Sequence, residues 1–540
     1  MQLPQRREGI ICALRAIESV RYSISVSGLR RGGSGVPDWD RQKTQGLAAR
    51  TGKRGQFVGR WQAAQGRLRA CGLVLAATCA FAAAAPGSAR AETLPQALSS
   101  AYKFNPRLDA ARATLRATDE EVPRAMSGFR PVVVGNADTG YQAQTTRPSS
   151  GGKSENNPRG YSVDLQQPLF KGFRVVNTVR EAEATVRAGR ETLRTTESSV
   201  LLEGVTAYVD VVRDQAIVRL RENNVTVLTR DLKATQDRFN VGEVTRTDVA
   251  QAQARRAGAV SALDLARANL KTSRAAYERV VGHPPSNLVE PGASRLTPGT
   301  LNASVEISSR ESPAVVAALY LEQAARHAVD RIRGELLPEV NLEASYGRRF
   351  DPSSSIESTE QATVTGRLTV PFYTGGEVEA RVRQAKHTHV SRLQQIEQAR
   401  TEVQAQVVAA WSQLDAARAQ LDSDQASVDA NRIALAGVRE EERVGQRTLL
   451  DVLNAEQELL NSEVNLVTTK RNLVVASYAL LSTIGRLNAQ ELGVAGLVYD
   501  PEAHYLEVRR KWTDINITHG DGRREAFQAL PQQEPRRPAK

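Results

Sequence analysis

Two short stretches decide how this chain folds: Val241-Gly242-Glu243-Val244-Thr245-Arg246-Thr247-Asp248 and Val444-Gly445-Gln446-Arg447-Thr448-Leu449-Leu450-Asp451. Each follows a long proline-free run, residues 174–240 and 377–443. Glycine just past a helix end accepts the left-handed backbone that other residues resist. Three positions later Thr caps a new helix, and Asp at the third position of that helix completes a capping box and meets the positive end of its dipole. The spacing therefore predicts two long helical hairpins.

The octapeptides lie 203 positions apart, and the same shift lays residues 168–282 over 371–485. Pro168, Gly172, Tyr208, Asn269-Leu270 and Gly282 meet Pro371, Gly375, Trp411, Asn472-Leu473 and Gly485. Upstream the shift becomes 207, with Pro106 meeting Pro313 and Pro131 meeting Pro338. One unit of roughly 200 residues is used twice, a period too long for a solenoid of small repeats.

Each unit reads helix, strand pair, long helix, turn, long helix. The expected helices are 174–240 with 245–281 and 377–443 with 448–484; the expected strands are 131–142 with 161–170 and 339–350 with 362–373. Val403, Val407, Ala410, Leu414, Ala417 and Leu421 form the heptad seam of a coiled coil. The helix after each turn is too short to cover its partner, so the 106–127 helix is expected to stack beyond its end. A coiled-coil rod in solvent would explain the seam, but the strands argue against it. Val340, Leu342, Ala344 and Tyr346 alternate with Glu339, Asn341, Glu343 and Ser345. One apolar and one charged face suits a membrane barrel with a wet lumen, although a half-buried sheet of a soluble domain alternates in the same way. Four strands cannot close a barrel, and lipid does not tolerate an open edge, so a membrane sheet of this kind requires several copies of the chain around one axis.

The formal charge of +12 suggests a nucleic-acid or membrane-surface protein until its position is considered. Residues 1–91 hold 15 Lys or Arg against 4 Asp or Glu, which leaves 57 against 56 in residues 92–540. No nucleic-acid partner is expected. Arg60, Arg67 and Arg69 precede an apolar run from Ala70 to Ala85, closed by Ala89-Arg90-Ala91, the layout of a cleaved secretory signal. The polar stretch before it points to a start further downstream, for example at Val58. Cys12, Cys71 and Cys79 all precede Ala91, so the mature chain has no thiol chemistry and no disulfide. The expected organisation is a signal region over 1–91, a first repeat over 92–282 and a proline-rich linker over 283–312. A second repeat over 313–485, an equatorial segment over 486–519 and a disordered tail over 520–540 complete it.

The duplicated unit, the strand end Gln167-Pro168-Leu169-Phe170-Lys171-Gly172 and the paired turns resemble the TolC family of outer-membrane exit ducts over residues 93–490. That resemblance implies a mainly α fold with β, in which each chain gives long antiparallel coiled-coil hairpins and four amphipathic strands. It implies a homotrimer with a twelve-stranded barrel in the lipid of the outer membrane and a twelve-helix periplasmic tunnel. Its partners would be a periplasmic adapter and an inner-membrane transporter, ABC or proton-driven, for type I secretion or drug efflux. Residues 93–129 look most like members serving type I secretion. Val241, Gly242, Thr245, Val444, Gly445 and Thr448 would form the tips on which the adapter docks. Arg447 resembles the family's gate arginine, Asp451 an acid of its constriction ring, and Asp248 a partner in the lock. The sequence departs at Asn454, where a second ring aspartate is expected, and at Glu442, where a tyrosine is expected; Glu442 and Asp248 would repel. A surface Arg and a solvated capping Asp are the alternative reading of Arg447 and Asp451, weighed below the gate.

Two other classes are weighed against a duct. A periplasmic adapter has one hairpin, whereas this chain has two. An enzyme has little support: there is no nucleotide loop, metal cluster, nucleophile motif or cofactor motif in the sequence, and His387-Thr388-His389 reads as solvated surface on a helix.

Overall fold

The computed structural model describes residues 91–145, 147, 153–494, 498–518 and 524–525. The signal region before Ala91, the Val58 start and the cysteines lie outside the described residues; of the tail expected to be disordered only Arg524–Glu525 is described, and it pairs antiparallel with Ile517–Thr518. Helices α1 (Leu94–Phe104), α2 (Pro106–Asp119) and α3 (Glu121–Met126) lead into β1 (Val132–Thr139) and β2 (Gln142–Thr145). Strands β3 (Lys153–Asn156) and β4 (Arg159–Lys171) return to α4 (Arg174–Asn240) and α5 (Arg246–Val281). The second unit holds α6 (Leu301–Glu311), α7 (Pro313–Arg333), β5 (Glu339–Ser353), β6 (Ile356–Thr369), α8 (Glu377–Arg443) and α9 (Leu449–Thr483), and α10 (Pro501–Val508) follows.

Helices α4 and α8 have 67 residues each, about 100 Å at 1.5 Å per residue. On α8 the seam from Val403 to Leu421 continues through Asp424, Val428, Asn431, Leu435 and Val438, each buried or half-buried, while most residues between them are exposed. This helix touches its hairpin partner α9 along one stripe. Helix α4 packs on α5 at one side and on α9 at the other, and buries a far broader surface that includes Val200, Leu201, Val205, Tyr208, Val209 and Val211. The four legs therefore lie side by side in the order α5, α4, α9, α8, with α5 and α8 at the open edges.

The shorter helices stack end to end on the returning legs. At the first joint the Asn105 side-chain amide donates to the Val280 carbonyl at 3.2 Å, capping the end of α5. At the second, Gly485 has φ +83°, and a Cβ there would stand 2.5 Å from the Glu311 carbonyl oxygen just ahead of α7, so only glycine fits both the backbone and the space. The 283–312 segment is more than a linker: α6 packs against α8, and Glu311 at its end takes a two-pronged ion pair from Arg486 at 2.8 and 2.9 Å. Glu92 is buried nearby, its N–H donating to the Asn287 carbonyl at 2.8 Å and its carboxylate accepting from the Tyr277 hydroxyl at 2.7 Å. His387 and Thr388 are exposed as expected, whereas His389 is half-buried, its imidazole 2.6 Å from Glu322 of α7.

The main sheet is antiparallel in the order β1-β4-β5-β6. Directly opposed residues share a face, so Val133, Leu165, Ala344 and Val364 form one row of the apolar side. That side is uncovered within the chain; Val133, Val163, Val364 and Leu368 are all exposed. The other side is polar and cross-linked, with Arg367 bonded twice to Glu343 and Arg349 paired to Asp138 at 3.0 Å. The first strand pair reaches further than 131–142 and 161–170, because β2 and β3 continue it after a break at Gly140-Tyr141. Gln142, Gln144 and Thr145 carry no apolar period, which is why alternation did not reveal the extension. Among the described residues no helix is long and apolar enough to cross a membrane.

Candidate functional site

The two turns are built the same way from the same residues. Gly242 at φ +83° and Gly445 at φ +78° take the left-handed conformation. The N–H of Glu243 then donates to the Arg238 carbonyl at 3.0 Å, and that of Gln446 to the Glu441 carbonyl at 2.9 Å, closing each long helix with a Schellman-type bond. Thr245 and Thr448 start the returning legs. Their hydroxyls accept from the N–H of Asp248 and Asp451, both at 3.3 Å, and those carboxylates accept from the Thr N–H groups at 2.9 and 3.0 Å. Val241 and Val444 are exposed at the tips.

The turns differ in the charges around them. In the second, the Arg447 guanidinium bonds Glu441 at 2.9 Å, six residues back across the turn. The Thr448 N–H and hydroxyl hold Asp451 below the usual carboxylate range, with the Arg447 charge adding to this. Within one chain Asp248 and Asp451 point into their own caps, and neither bonds Arg447.

Three contacts join the first hairpin to the second near the tips. Arg238 of α4 donates to Glu442 of α8 at 2.7 Å, so Glu442 has a cation partner within the chain. Arg255 of α5 donates to the Asn454 amide oxygen of α9 at 2.7 Å. The third contact is a pair of acids. Asp231 follows the buried Leu228 and precedes the buried Thr235, and Glu456 stands between the buried Leu453 and Leu460, so both occupy seam positions where an apolar residue is the rule. Arg439 bonds Glu456. Asp231 Oδ2 and Glu456 Oε2 are buried and no donor reaches either; a proton held between the two carboxyls satisfies both. Burial, together with the adjacent Glu456 carboxylate, pushes Asp231 up to about 6 against the pull of Arg439.

Sequence reasoning placed Arg447, Asp451, Asn454, Asp248 and Glu442 at the tips but missed Arg238, Arg255, Asp231, Arg439 and Glu456. The signal for the acids was present, as charged residues in step with the seam. For the arginines there was none, because their partners depend on how the two hairpins lie beside each other.

The profile described as outer membrane efflux protein matches residues 97–283 and 306–486, the two repeats. Among curated proteins, the chain is 37% identical over 437 residues to the outer membrane efflux protein BepC of Brucella suis, covering 80% of this chain and 94% of BepC. It is 26% identical over 412 residues to the outer membrane protein TolC of Vibrio cholerae, covering 74% and 92%. Among solved structures, the CmeC outer membrane channel of Campylobacter jejuni superimposes with a TM-score of 0.67 at 17% identity, over 77% of this chain and 89% of CmeC. The duplicated unit, its strand pairs and its capped hairpins thus match proteins of one kind along nearly their whole length, and the chain belongs to the outer membrane efflux protein family.

Proposed function

We propose that three copies of this chain form one channel, a twelve-stranded barrel in the outer membrane continuous with a tunnel of twelve helices in the periplasm. The observation that carries this is the β1-β4-β5-β6 sheet, which has a bare apolar side, a charged opposite side and two free edges. In lipid the apolar side is solvated, but the edge N–H and C=O groups are not. Pairing β6 of one copy with β1 of the next removes every edge, and three copies reach a strand number at which side chains still leave a water-filled lumen. The exposed flanks of α8 and α5 meet in the same arrangement. The mass of the detergent-extracted particle, measured under native conditions, is then three times that of the processed chain; a monomer in mild detergent refutes the reading.

In this reading the channel is a passive duct for efflux or secretion, with the force supplied by an inner-membrane transporter and the link by a periplasmic adapter seated on the tips around Val241-Gly242 and Val444-Gly445. Arg447, Asp451, Asn454, Asp248 and Glu442 surround its periplasmic opening. Three copies of Asp451 about one axis concentrate negative potential there, and Asn454 in place of an acid makes the ring a weaker cation site. Drug sensitivity against loss of a secreted protein, compared in a deletion strain, separates the two cargo classes.

A further inference from the structure

We propose that the segment after α10 is a membrane-contact element, in which Trp512, Ile515 and Ile517 enter the headgroup region of the periplasmic leaflet beside the barrel. The chain climbs to that level in measurable steps. Glu502 pairs with Arg190 of α4 at 2.7 Å, and Arg509 pairs with Glu183 at 3.0 Å. The seven positions from 190 back to 183 are a rise of about 10 Å toward the start of α4. Three residues later the Trp512 ring lies 4.8 Å from the Arg130 guanidinium, and Arg130 stands two residues before β1. Trp512 is therefore level with the first residues of the sheet that faces lipid.

The residues that follow it in the chain, and those at the nearby rim of the sheet, are apolar and open. Trp512 is 67% exposed, Ile515 64% and Ile517 54%, although nothing in a water-facing loop favours such residues. Phe372 at 96% and Tyr373 at 83% stand exposed just past the end of β6, at the same rim, as the aromatic belt of a membrane interface requires. The exposed Arg510 and the stacked Arg130 add positive charge beside the indole, which suits phospholipid headgroups more than a second protein's apolar face. Indole stacked on guanidinium keeps its polar N–H end wet while the ring enters the acyl boundary.

The inference rests on the barrel reading, and the test separates the two. Residues 92–540 contain Trp411 and Trp512 and no cysteine, so Trp411→Phe leaves Trp512 as the sole fluorophore of the mature chain. In phosphatidylethanolamine/phosphatidylglycerol vesicles, lipid brominated at carbons 6 and 7 should quench its emission several-fold more than lipid brominated at carbons 11 and 12. Emission indifferent to both bromolipids overturns the proposal. If Trp411→Phe fails to fold, a nitroxide on Trp512→Cys gives the same answer, with oxygen collisions exceeding those of a water-soluble nickel chelate. The reverse order, or protection from both, places the residue in water or against another copy of the chain and overturns it. A nitroxide on Val364→Cys is the control: in lipid with position 512 in water, only this inference fails, whereas Val364 in water removes the barrel as well.

Discussion

At the scale of single residues, Arg447 and Asp231 make opposite use of charge. Arg447 is exposed and bonded to Glu441 within the chain, an ion pair of the kind worth little in water. In the proposed trimer its role is set by what it reaches in a neighbouring copy. Arg447→Ser should raise single-channel conductance in planar bilayers without altering the thermal midpoint, and unchanged conductance removes it from the gate. Asp231 is held in a seam. A carboxyl whose pKa rises on folding lends stability that is full below its unfolded value and disappears as pH climbs through the folded one, here from about 4 to about 6. Glu456, Arg439 and Glu442 are the charges that face it. Asp231→Asn supplies a permanent donor to Glu456, so the variant should melt above the parent at pH 7.5 and level with it at pH 4.5 by circular dichroism. The same difference at both pH values would sink the shared-proton account.

At the scale of elements, the glycines that punctuate the chain are not equivalent. Gly445 has open space around its missing Cβ and only its positive φ to satisfy, so Gly445→Ala should cost about 1 kcal/mol. Gly485 adds a carbonyl oxygen at 2.5 Å from the Cβ position, and Gly485→Ala should cost clearly more, with the joint between α9 and α7 opening. Amide exchange at Pro313–Arg333 reports the difference; equal protection in both variants contradicts it. The turns and the seam were legible in the sequence because their chemistry is local: Gly, Thr and Asp act within eight residues, and a heptad repeats its own instruction. The tip arginines were not, since Arg238 and Arg255 reach another hairpin whose lateral register no local pattern sets. His389 misled for the same reason, as a helix surface position looks solvated until α7 is laid against it.

At the scale of the whole molecule, the sheet states the assembly more plainly than any motif does. Its polar side is already neutralised within the chain by pairs such as Arg367 with Glu343 and Arg349 with Asp138, so the face that would line the proposed lumen is complete in one chain, while the apolar side and both edges are not. Glu343→Lys puts like charges beside Arg367 on the polar side of the sheet, away from the face proposed to meet lipid. It should shift cation-to-anion permeability toward anions and leave the oligomer intact on native gels. Dissociation of the oligomer instead would mean that this face is buried between copies. The stacking of short helices on the returning legs follows from a length deficit alone, whereas the climb from Glu502 to Trp512 does not, because so short a segment has no period from which to read its course.

The equal length of α4 and α8 restricts which insertions and deletions the gene can accept. One added residue in α8 would turn everything beyond it by about 100° and swing the seam away from α9. Seven added residues would restore the facing but carry that tip about 10 Å past its twin, so that the two turns of one chain no longer end level. Length changes in these legs are therefore tolerated only as whole heptads made in both repeats and in both legs of each, and drift in sequence is free where drift in length is not.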